Sequence, residues 1–246
     1  MEKIRASILL PVYNGAQFIA HQLDSILPML AENDEIVISY DESTDNTLEI
    51  IREYEQKDPR IKVFINEGEH GVWPNSMNSL RHIQGEYIFP CDQDDEWLDD
   101  KINYVIEEME KQNAASAVHD GYVCDKDLQI EEKTIFERCQ TSNSILKNFA
   151  KNTIAGCCLA YRSYIKDVFL QSPNCPDASD QWAAIAMMMT GKMILLDRCL
   201  IKHRIHGGNY TTFQHRALKV VLAGRLALLK NMIWLQKNKK RFLKNV

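Results

Sequence analysis

The chain has 246 residues, of which 45% are hydrophobic and 26% are charged, as in an ordinary globular protein with a substantial core. This length suits one large α/β domain or a domain with an elaborated second half. The apolar start, residues 8–12, is too short to span a membrane, and no secretion signal is recognisable. We therefore expect a cytoplasmic protein whose seven cysteines are reduced thiols.

Strands and helices alternate over the first hundred residues. Periodicity and turn signals predict strands at 4–12, 35–40, 61–65 and 87–90, and helices at 16–28, around 48–54 and at 73–83. This alternation predicts a mostly parallel sheet with helices on both faces, in which ligands bind beyond the carboxyl ends of the strands. Polar clusters at 13–15, 41–45 and 92–95 each follow a strand there, so we expect three loops to converge on one crevice.

The second half is less regular. Its pattern predicts a helix at 98–112, strand-like runs at 115–123 and 128–135, a helix near 142–151, an apolar stretch at 154–161, a loop at 171–178, a helix at 181–190, strands at 193–196 and 199–205, and a long helix at 213–243.

Three carboxylates within four residues, Asp92, Asp94 and Asp95, follow the short apolar run 87–90. Such charges repel one another, and a cation at the end of the strand would relieve the repulsion. Mg²⁺ and Mn²⁺ prefer oxygen ligands and complete their shell with phosphate oxygens. The alternative is a helix N-terminus decorated with acids. An EF-hand is excluded, because Trp97 stands where that loop needs glycine.

Three other clusters are candidates for a site. Asp41, at a strand end, could accept hydrogen bonds from a nucleobase or a ribose. The alternative is helix capping, which explains the presence of Thr44 and Asp45 better than that of Asp41. No glycine-rich phosphate loop occurs, so bound nucleotide phosphates would require a metal. Asp180 opens a helix, where a cap is the simplest role. The run 203–209 is a cationic loop that could bind an anion, supply an imidazole to a metal, or have no role.

These pieces, in this order, resemble the family 2 nucleotide-sugar glycosyltransferases with the GT-A fold, over residues 7–209. The similarity is greatest to bacterial rhamnosyltransferase-like enzymes of cell-surface polysaccharides. The matching motifs are P-x-Y-N at Pro11–Asn14, D-D-G-S-T-D at Tyr40–Asp45, D-x-D-D-x-W at Asp92–Trp97, an acid eleven residues before a glycine at Asp180, and R-x-H-G-x-N at Arg204–Asn209. Tyr40 and Glu42 depart from the second motif, which leaves the preferred base open.

The resemblance implies an α/β GT-A fold with a mostly parallel, Rossmann-like central sheet flanked by helices and a C-terminal helical tail. It divides the chain before the tail into a nucleotide-sugar-binding half (1–97) and an acceptor-binding half (98–212), and the charge and periodicity of the tail predict a basic amphipathic helix at 213–246. The implied roles are donor nucleotide binding by Pro11, Tyr13, Asp41, Asp92 and Arg204, metal binding by Asp94, Asp92 and His206, and general base catalysis by Asp180. Asp95 is expected to support the start of helix 98–112.

The resemblance also implies the reaction. An inverting enzyme would move a sugar from a nucleoside-diphosphate donor to a glycan or lipid-linked glycan acceptor, with Mn²⁺ or Mg²⁺ as cofactor, in O-antigen or capsule synthesis. Two other classes share some of these residues. A metal-dependent phosphatase or nucleotidyltransferase would use Asp92 and Asp94, and a non-catalytic nucleotide-binding module would not need Asp180.

The tail carries a charge opposite to that of the body. The net charge is −5, yet residues 198–246 contain 12 Lys or Arg and no acid, so the first 197 residues sum to −17. An apolar stripe and Lys219, Lys230 and Lys237 share neighbouring helical faces, which predicts contact with an anionic leaflet at the inner face of the plasma membrane. Packing on the domain itself or on a second copy, in a homo-oligomer, is the alternative. We expect no nucleic-acid partner.

Overall fold

A computed structural model describes residues 3–173, 179–206 and 218–243. Its strands and helices are β1 (Ala6–Val12), α1 (Ile19–Ile26), β2 (Glu35–Tyr40), α2 (Thr47–Lys57), β3 (Ile61–Ile65), α3 (Val72–His82), β4 (Tyr87–Pro90), β5 (Glu96–Trp97), α4 (Lys101–Lys111), β6 (Ser116–Cys124), β7 (Ile130–Thr134), α5 (Ile135–Cys139), α6 (Ile145–Ala150), β8 (Leu159–Arg162), α7 (Lys166–Gln171), α8 (Ser179–Thr190), β9 (Met193–Arg204) and α9 (Leu218–Phe242).

The strands form one sheet in the order β3-β2-β1-β4-β8-β6-β9-β5, with β7 paired to β6. The first four strands are parallel, as predicted. The chain runs from β1 outward to β3 and then returns to place β4 on the other side of β1, so the strand order reverses between β1 and β4. The ladder between these two strands ends at Leu9 and Pro90. Pro11 therefore lies where the strands separate, and a crevice opens at such a switch point.

The second half continues the same sheet with both antiparallel and parallel pairs. β8 runs antiparallel to β4 and to β6, and β5 runs antiparallel to β9. The predicted boundary between residues 97 and 98 thus falls within a continuous sheet, and the division of the chain into halves stays a prediction. Apolar side chains from both halves belong to one core cluster.

The sequence prediction of two strands at 193–196 and 199–205 is wrong, because β9 is a single strand paired parallel to β6. Its partner register moves from His119 opposite Leu196 to Asp120 opposite Cys199. The two residues between, Asp197 and Arg198, form a bulge that lets one strand continue past a polar interruption. Short helices α5 and α7 were also absent from the prediction, because helices this short carry little periodicity.

Helix α9 packs one face on the domain and leaves the other exposed. Leu228, Asn231 and Leu235 are fully buried. Arg225 fastens the helix to the body, donating to Gln181 Oε1 at 2.6 Å and to the carbonyl of Ala150 at 2.8 Å. Packing on the chain's own domain therefore accounts for part of the apolar character of the tail. Among the described helices, none combines the length and the hydropathy needed to cross a bilayer.

The exposed face of α9 is an apolar stripe, which we define as Leu222, Leu226, Leu229 and Ile233. Their side chains are between 44% and 60% exposed. Lys219, Lys230 and Lys237 are exposed as well and flank the stripe along the helix. Residues 213–217 and 244–246, which the sequence pattern assigns to the tail, lie outside the described residues.

Candidate active site

The loop after β1 is bonded to the loop after β4. The backbone N–H of Tyr13 donates to Gln93 Oε1 at 3.0 Å, and Gln93 Nε2 donates back to the Tyr13 carbonyl at 2.9 Å. The Gln93 side chain passes so close to Gly15 that a Cβ there would stand 2.5 Å from Oε1. Glycine at position 15 is thus what allows the two loops to approach.

The same β1 loop is bonded to the loop after β2. Asn14 has φ of 44°, a left-handed conformation that asparagine adopts more readily than most residues. Its N–H donates to Ser43 Oγ at 3.0 Å, and its Oδ1 accepts from the N–H of Thr44 at 2.8 Å. The three polar clusters at 13–15, 41–45 and 92–95 therefore meet at one end of the sheet, and the predicted convergence is confirmed.

Asp41 lies at the buried end of this crevice, with 1% of its surface exposed. Its Oδ1 accepts from Asn66 Nδ2 at 2.7 Å, and its Oδ2 accepts from the N–H of Gly71 at 2.9 Å. Both oxygens keep lone pairs for a further donor, such as the N–H of a nucleobase. Tyr13, whose side chain is exposed, stands at the outer edge of the same crevice. The predicted role of these residues in donor binding stays a prediction.

Asp95 anchors residues 92–95, which follow β4 and are called the acidic loop below, to β9, and this corrects the expectation that Asp95 supports the start of α4. It is 1% exposed and accepts from His203 Nδ1 at 2.9 Å and from the N–H of Arg204 at 3.1 Å. Helix α4 begins at Lys101, after Asp100. The spacing of residues along the chain cannot reveal this contact, because His203 and Arg204 stand 108 and 109 residues after Asp95.

Asp94 and His206, two of the predicted metal ligands, are neighbours in space. Asp94 Oδ2 lies 2.8 Å from His206 Nε2, and the imidazole ring packs against the Phe18 ring, tilted by 32° with centroids 4.6 Å apart. Desolvation and the charge of Asp95 raise the pKa of Asp94, while the bond to His206 acts in the opposite sense. A carboxylate and an imidazole at this separation could share one cation. Gly207–Asn209, the rest of that motif, lie outside the described residues.

Asp92, the third predicted ligand, has a carboxylate oxygen within 4.8 Å of Cys157 Sγ, and the neighbouring Gly156 lies against Asp180, the predicted base. Water reaches its side chain from the crevice, but protein groups crowd it closely. Desolvation and the charges of Asp95 and Asp94 raise its pKa to about 8, and Asp180 contributes in the same direction. Asp180 in α8 and Asp92 in the acidic loop therefore belong to one site, although 88 positions separate them in the sequence.

Arg204 contacts the backbone of the acidic loop. It is 8% exposed, and its guanidinium donates to the carbonyls of Asp94 at 2.8 Å and Lys126 at 2.7 Å. These bonds hold the loop in place, and the predicted direct contact with a donor stays a prediction.

Lys101 is a residue that the sequence did not indicate. It is fully buried, and its Nζ donates to the Cys157 carbonyl at 3.2 Å and lies 3.8 Å from the centre of the Trp97 ring. Burial lowers its pKa. It connects the base of the acidic loop to the segment that carries Gly156 and Cys157.

The donor set of this site fits a divalent cation. Asp92 and Asp94 offer hard carboxylate oxygens, and His206 offers a nitrogen that Mn²⁺ accepts more readily than Mg²⁺ does. Burial, and after it the neighbouring carboxylates, raise the pKa of both aspartates, and a bound cation would offset both effects.

Comparison with known proteins identifies the family to which the chain belongs. The sequence profile of glycosyl transferase family 2 matches residues 7–171. TuaG of Bacillus subtilis, whose name assigns it to teichuronic acid biosynthesis, is 26% identical over 221 residues, which is 87% of this chain and 84% of TuaG. WfgD of Escherichia coli, a UDP-Glc:α-D-GlcNAc-diphosphoundecaprenol β-1,3-glucosyltransferase, is 30% identical over 148 residues, 60% of this chain and 57% of WfgD.

Among solved structures, TarS of S. aureus in complex with UDP-GlcNAc superposes with a TM-score of 0.73. The match covers 97% of this chain and 70% of that one at 18% identity, and it establishes the GT-A fold. Family profile, relatives and fold agree with the motifs that converge on the crevice. The chain is a glycosyltransferase and belongs to glycosyl transferase family 2.

Proposed function

We propose that this protein transfers a sugar from a nucleoside-diphosphate donor to an acceptor hydroxyl with inversion at the anomeric carbon. The observation that supports the proposal is that Asp180 lies against Gly156, while Sγ of the next residue, Cys157, lies within 4.8 Å of a carboxylate oxygen of Asp92. In this proposal Asp41 contacts the nucleotide, the acidic loop holds the diphosphate with its cation, and Asp180 contacts the acceptor.

The donor half uses the three bonded loops. Asp41, held by Asn66 and Gly71, accepts a hydrogen bond from the base, while Pro11 and Tyr13 line the nucleotide. Asp94, Asp92 and His206 would hold Mn²⁺ or Mg²⁺. When bound, such a cation neutralises the charge of the departing nucleoside diphosphate. Arg204 keeps these ligands in place through the Asp94 carbonyl.

Asp180 acts as the general base. Its carboxylate takes the proton from the acceptor hydroxyl while the hydroxyl oxygen bonds to the anomeric carbon and the bond to the diphosphate breaks on the opposite face. One displacement inverts the configuration and needs no enzyme nucleophile.

The proposed acceptor is a lipid-linked glycan in the synthesis of a bacterial surface polysaccharide. WfgD, by its name, acts on a diphosphoundecaprenol-linked sugar. The apolar stripe of α9 and its flanking lysines suit the surface of an anionic membrane, where such an acceptor would lie. The protein would then be cytoplasmic and peripheral at the inner face of the plasma membrane.

The reaction is tested with nucleotide sugars that raise the melting temperature in the presence of Mn²⁺, since a ligand that binds the native state stabilises it. The products are then analysed by NMR. We expect nucleoside diphosphate and a product of inverted anomeric configuration. Release of inorganic phosphate or pyrophosphate would instead favour a phosphatase or a nucleotidyltransferase.

The role of Asp180 is tested by Asp180→Asn, with Asp167→Asn on the exposed face of α7 as the matched control. We expect turnover to fall by about 10²–10⁴ in Asp180→Asn, the usual contribution of a general base, with the KM for the donor little changed. Asp167→Asn should behave as the wild type does. Retained turnover in Asp180→Asn would remove this residue from the mechanism.

A further inference from the structure

A second group of potential metal ligands lies beside the Asp94–His206 pair. Asp92, Asp95, Cys157 and His203 each place one ligand atom within 4.8 Å of the other three. The two acids come from the loop after β4, Cys157 from a short helical turn before β8, and His203 from β9. The tertiary fold assembles the group from three separate segments, and neither Asp94 nor His206 belongs to it.

The geometry of the group is close to that of a tetrahedral site. His203 Nδ1 lies 2.9 Å from Asp95 Oδ1 and 3.8 Å from Cys157 Sγ. Ligands at 2.0–2.3 Å from a tetrahedral Zn²⁺ ion are about 3.3–3.8 Å apart. Side-chain movements of about 1 Å would therefore bring all four ligand atoms to bonding distance.

The chemistry of the group differs from that of the proposed Mn²⁺ or Mg²⁺ site. A thiolate is a soft ligand that Mg²⁺ avoids, whereas Zn²⁺ binds sulfur, imidazole nitrogen and carboxylate oxygen together. The combination of one cysteine, one histidine and two aspartates thus favours a thiophilic cation.

An independent observation also points to a ligand. Asp95 Oδ2 has no hydrogen-bond partner within the described part of the chain, although Asp95 is 1% exposed. A buried carboxylate oxygen without a partner is costly, and a cation would satisfy it. Asp92, which is exposed to the crevice, provides a route for an ion to enter from solvent.

We propose that Asp92, Asp95, Cys157 and His203 form a binding site for a thiophilic divalent cation of the Zn²⁺ class, distinct from the Mn²⁺ or Mg²⁺ site of the transfer reaction. Binding forms a metal–sulfur bond and a metal–nitrogen bond, and the Cys157 thiol proton and the proton between His203 Nδ1 and Asp95 both pass to water. Because Asp92 serves both sites, an ion held here inhibits sugar transfer. This last consequence rests on the proposed function.

The site is tested on the full chain, freed of metal, by titration with Co²⁺ as a spectroscopic substitute for Zn²⁺. We expect one equivalent of Co²⁺ to produce thiolate-to-cobalt charge-transfer absorption and the intense visible bands of a tetrahedral ion. Zn²⁺ should abolish both signals at equimolar concentration, and Mg²⁺ in large excess should not. Absence of the charge-transfer band in the folded wild type would overturn the proposal.

Variants locate the ion. Cys157→Ser should lose the charge-transfer band and bind Co²⁺ at least about 100-fold more weakly, the upper end of what even a supporting residue costs. His203→Gln should lose affinity similarly, while Cys199→Ser, a change of a free thiol elsewhere on β9, should retain the wild-type spectrum. Circular dichroism confirms that each variant is folded. An unchanged band in folded Cys157→Ser would refute the site.

A further variant separates this site from the transfer reaction. Asp94→Asn should lose Mn²⁺-dependent donor binding but keep the Co²⁺ spectrum. In transfer assays, Zn²⁺ should inhibit the wild type at a concentration at least about tenfold lower than it inhibits Cys157→Ser. Equal inhibition of both proteins would refute the inhibitory role, and the Co²⁺ spectrum decides the existence of the site even if no transfer is found.

Discussion

Asp180 lies directly against Gly156, so that a methyl group added at Gly156 would stand 2.8 Å from Asp180 Oδ1 and 3.1 Å from its Cγ. These contacts are with the end of a movable side chain, and a larger residue at position 156 would displace the carboxylate without disturbing the core. Glycine at position 156 thus leaves the space that the carboxylate of Asp180, the proposed base, occupies.

Gly156→Ala should therefore impair catalysis more than it impairs stability. We expect kcat to fall by about tenfold to a hundredfold, because a shift of about 1 Å in a reacting group has costs of this size. The melting temperature should change little. Gly224→Ala is the matched control, since nothing lies within 4 Å of its added methyl group and it sits inside a helix. That control should keep full activity and gain about 0.5–1 kcal/mol in stability. Unchanged kcat in Gly156→Ala would contradict the assignment of Asp180.

Asn66 positions the carboxylate proposed to contact the base of the donor. Asn66→Ala removes the 2.7 Å bond to Asp41, whose side chain is buried. We expect the free energy of unfolding to fall by about 1–3 kcal/mol and the KM for the donor to rise, with kcat less affected. Asn33→Ala serves as the control, because its side chain makes a long 3.4 Å bond at a site remote from the crevice. A wild-type donor KM in Asn66→Ala would argue against Asp41 as a nucleotide contact.

The apolar stripe of α9 should bind anionic membranes. The double variant Leu226→Ser, Leu229→Ser changes two side chains that are 54% and 44% exposed, so the fold should persist. We expect its affinity for phosphatidylglycerol vesicles to be at least about tenfold lower than that of the wild type, because each leucine loses burial in the interface.

Leu146→Ser, on α6, alters a leucine that is 81% exposed and is the matched control. It should bind vesicles as the wild type does, and vesicles of neutral phosphatidylcholine should bind all three proteins weakly. If the double variant kept its vesicle affinity but lost self-association in solution, a second copy of the chain would be the occupant of the stripe. These point changes are preferable to deletion of the helix, because Leu228 and Leu235 are buried in the core.

Asp58 should make the stability depend on pH in the acid range. It accepts from Arg60 in the turn before β3, with Oδ2 at 2.6 Å from Nη2, and this bond lowers the pKa of Asp58 below its usual value. A carboxyl group whose pKa is lowered on folding contributes its full stability above the unfolded pKa and loses it as the pH falls through the folded pKa.

Asp58→Asn should thus reduce the free energy of unfolding by about 1 kcal/mol at neutral pH, and the difference should vanish below the lowered pKa. Urea denaturation between about pH 7 and pH 2 measures this. Glu53→Gln removes a solvent-exposed partner of Lys57, and its effect should be small at every pH. A difference that persists unchanged at the acid end would contradict the linkage.

The strands of the first half and the position of the crevice could be predicted from the sequence alone. The periodicity of residues 35–40, 61–65 and 87–90 predicted three strands that the structure contains with the same bounds. The polar clusters after the strands predicted the crevice, because parallel strands bring their carboxyl ends to one edge. These inferences succeed since they rest on local patterns and on a general rule of sheet topology.

Only the tertiary structure decided how distant residues meet. Asp95 accepts hydrogen bonds from His203 and Arg204 on β9, and Asp180 packs against Gly156. Cys157 Sγ lies within 4.8 Å of carboxylate oxygens of the acidic loop. No period or spacing along the chain encodes these contacts, because they arise from packing between segments separated by tens of residues. Helix α9 shows the same division. Its sequence fixes which residues are apolar, and the fold selects which of them are buried and which form the exposed stripe.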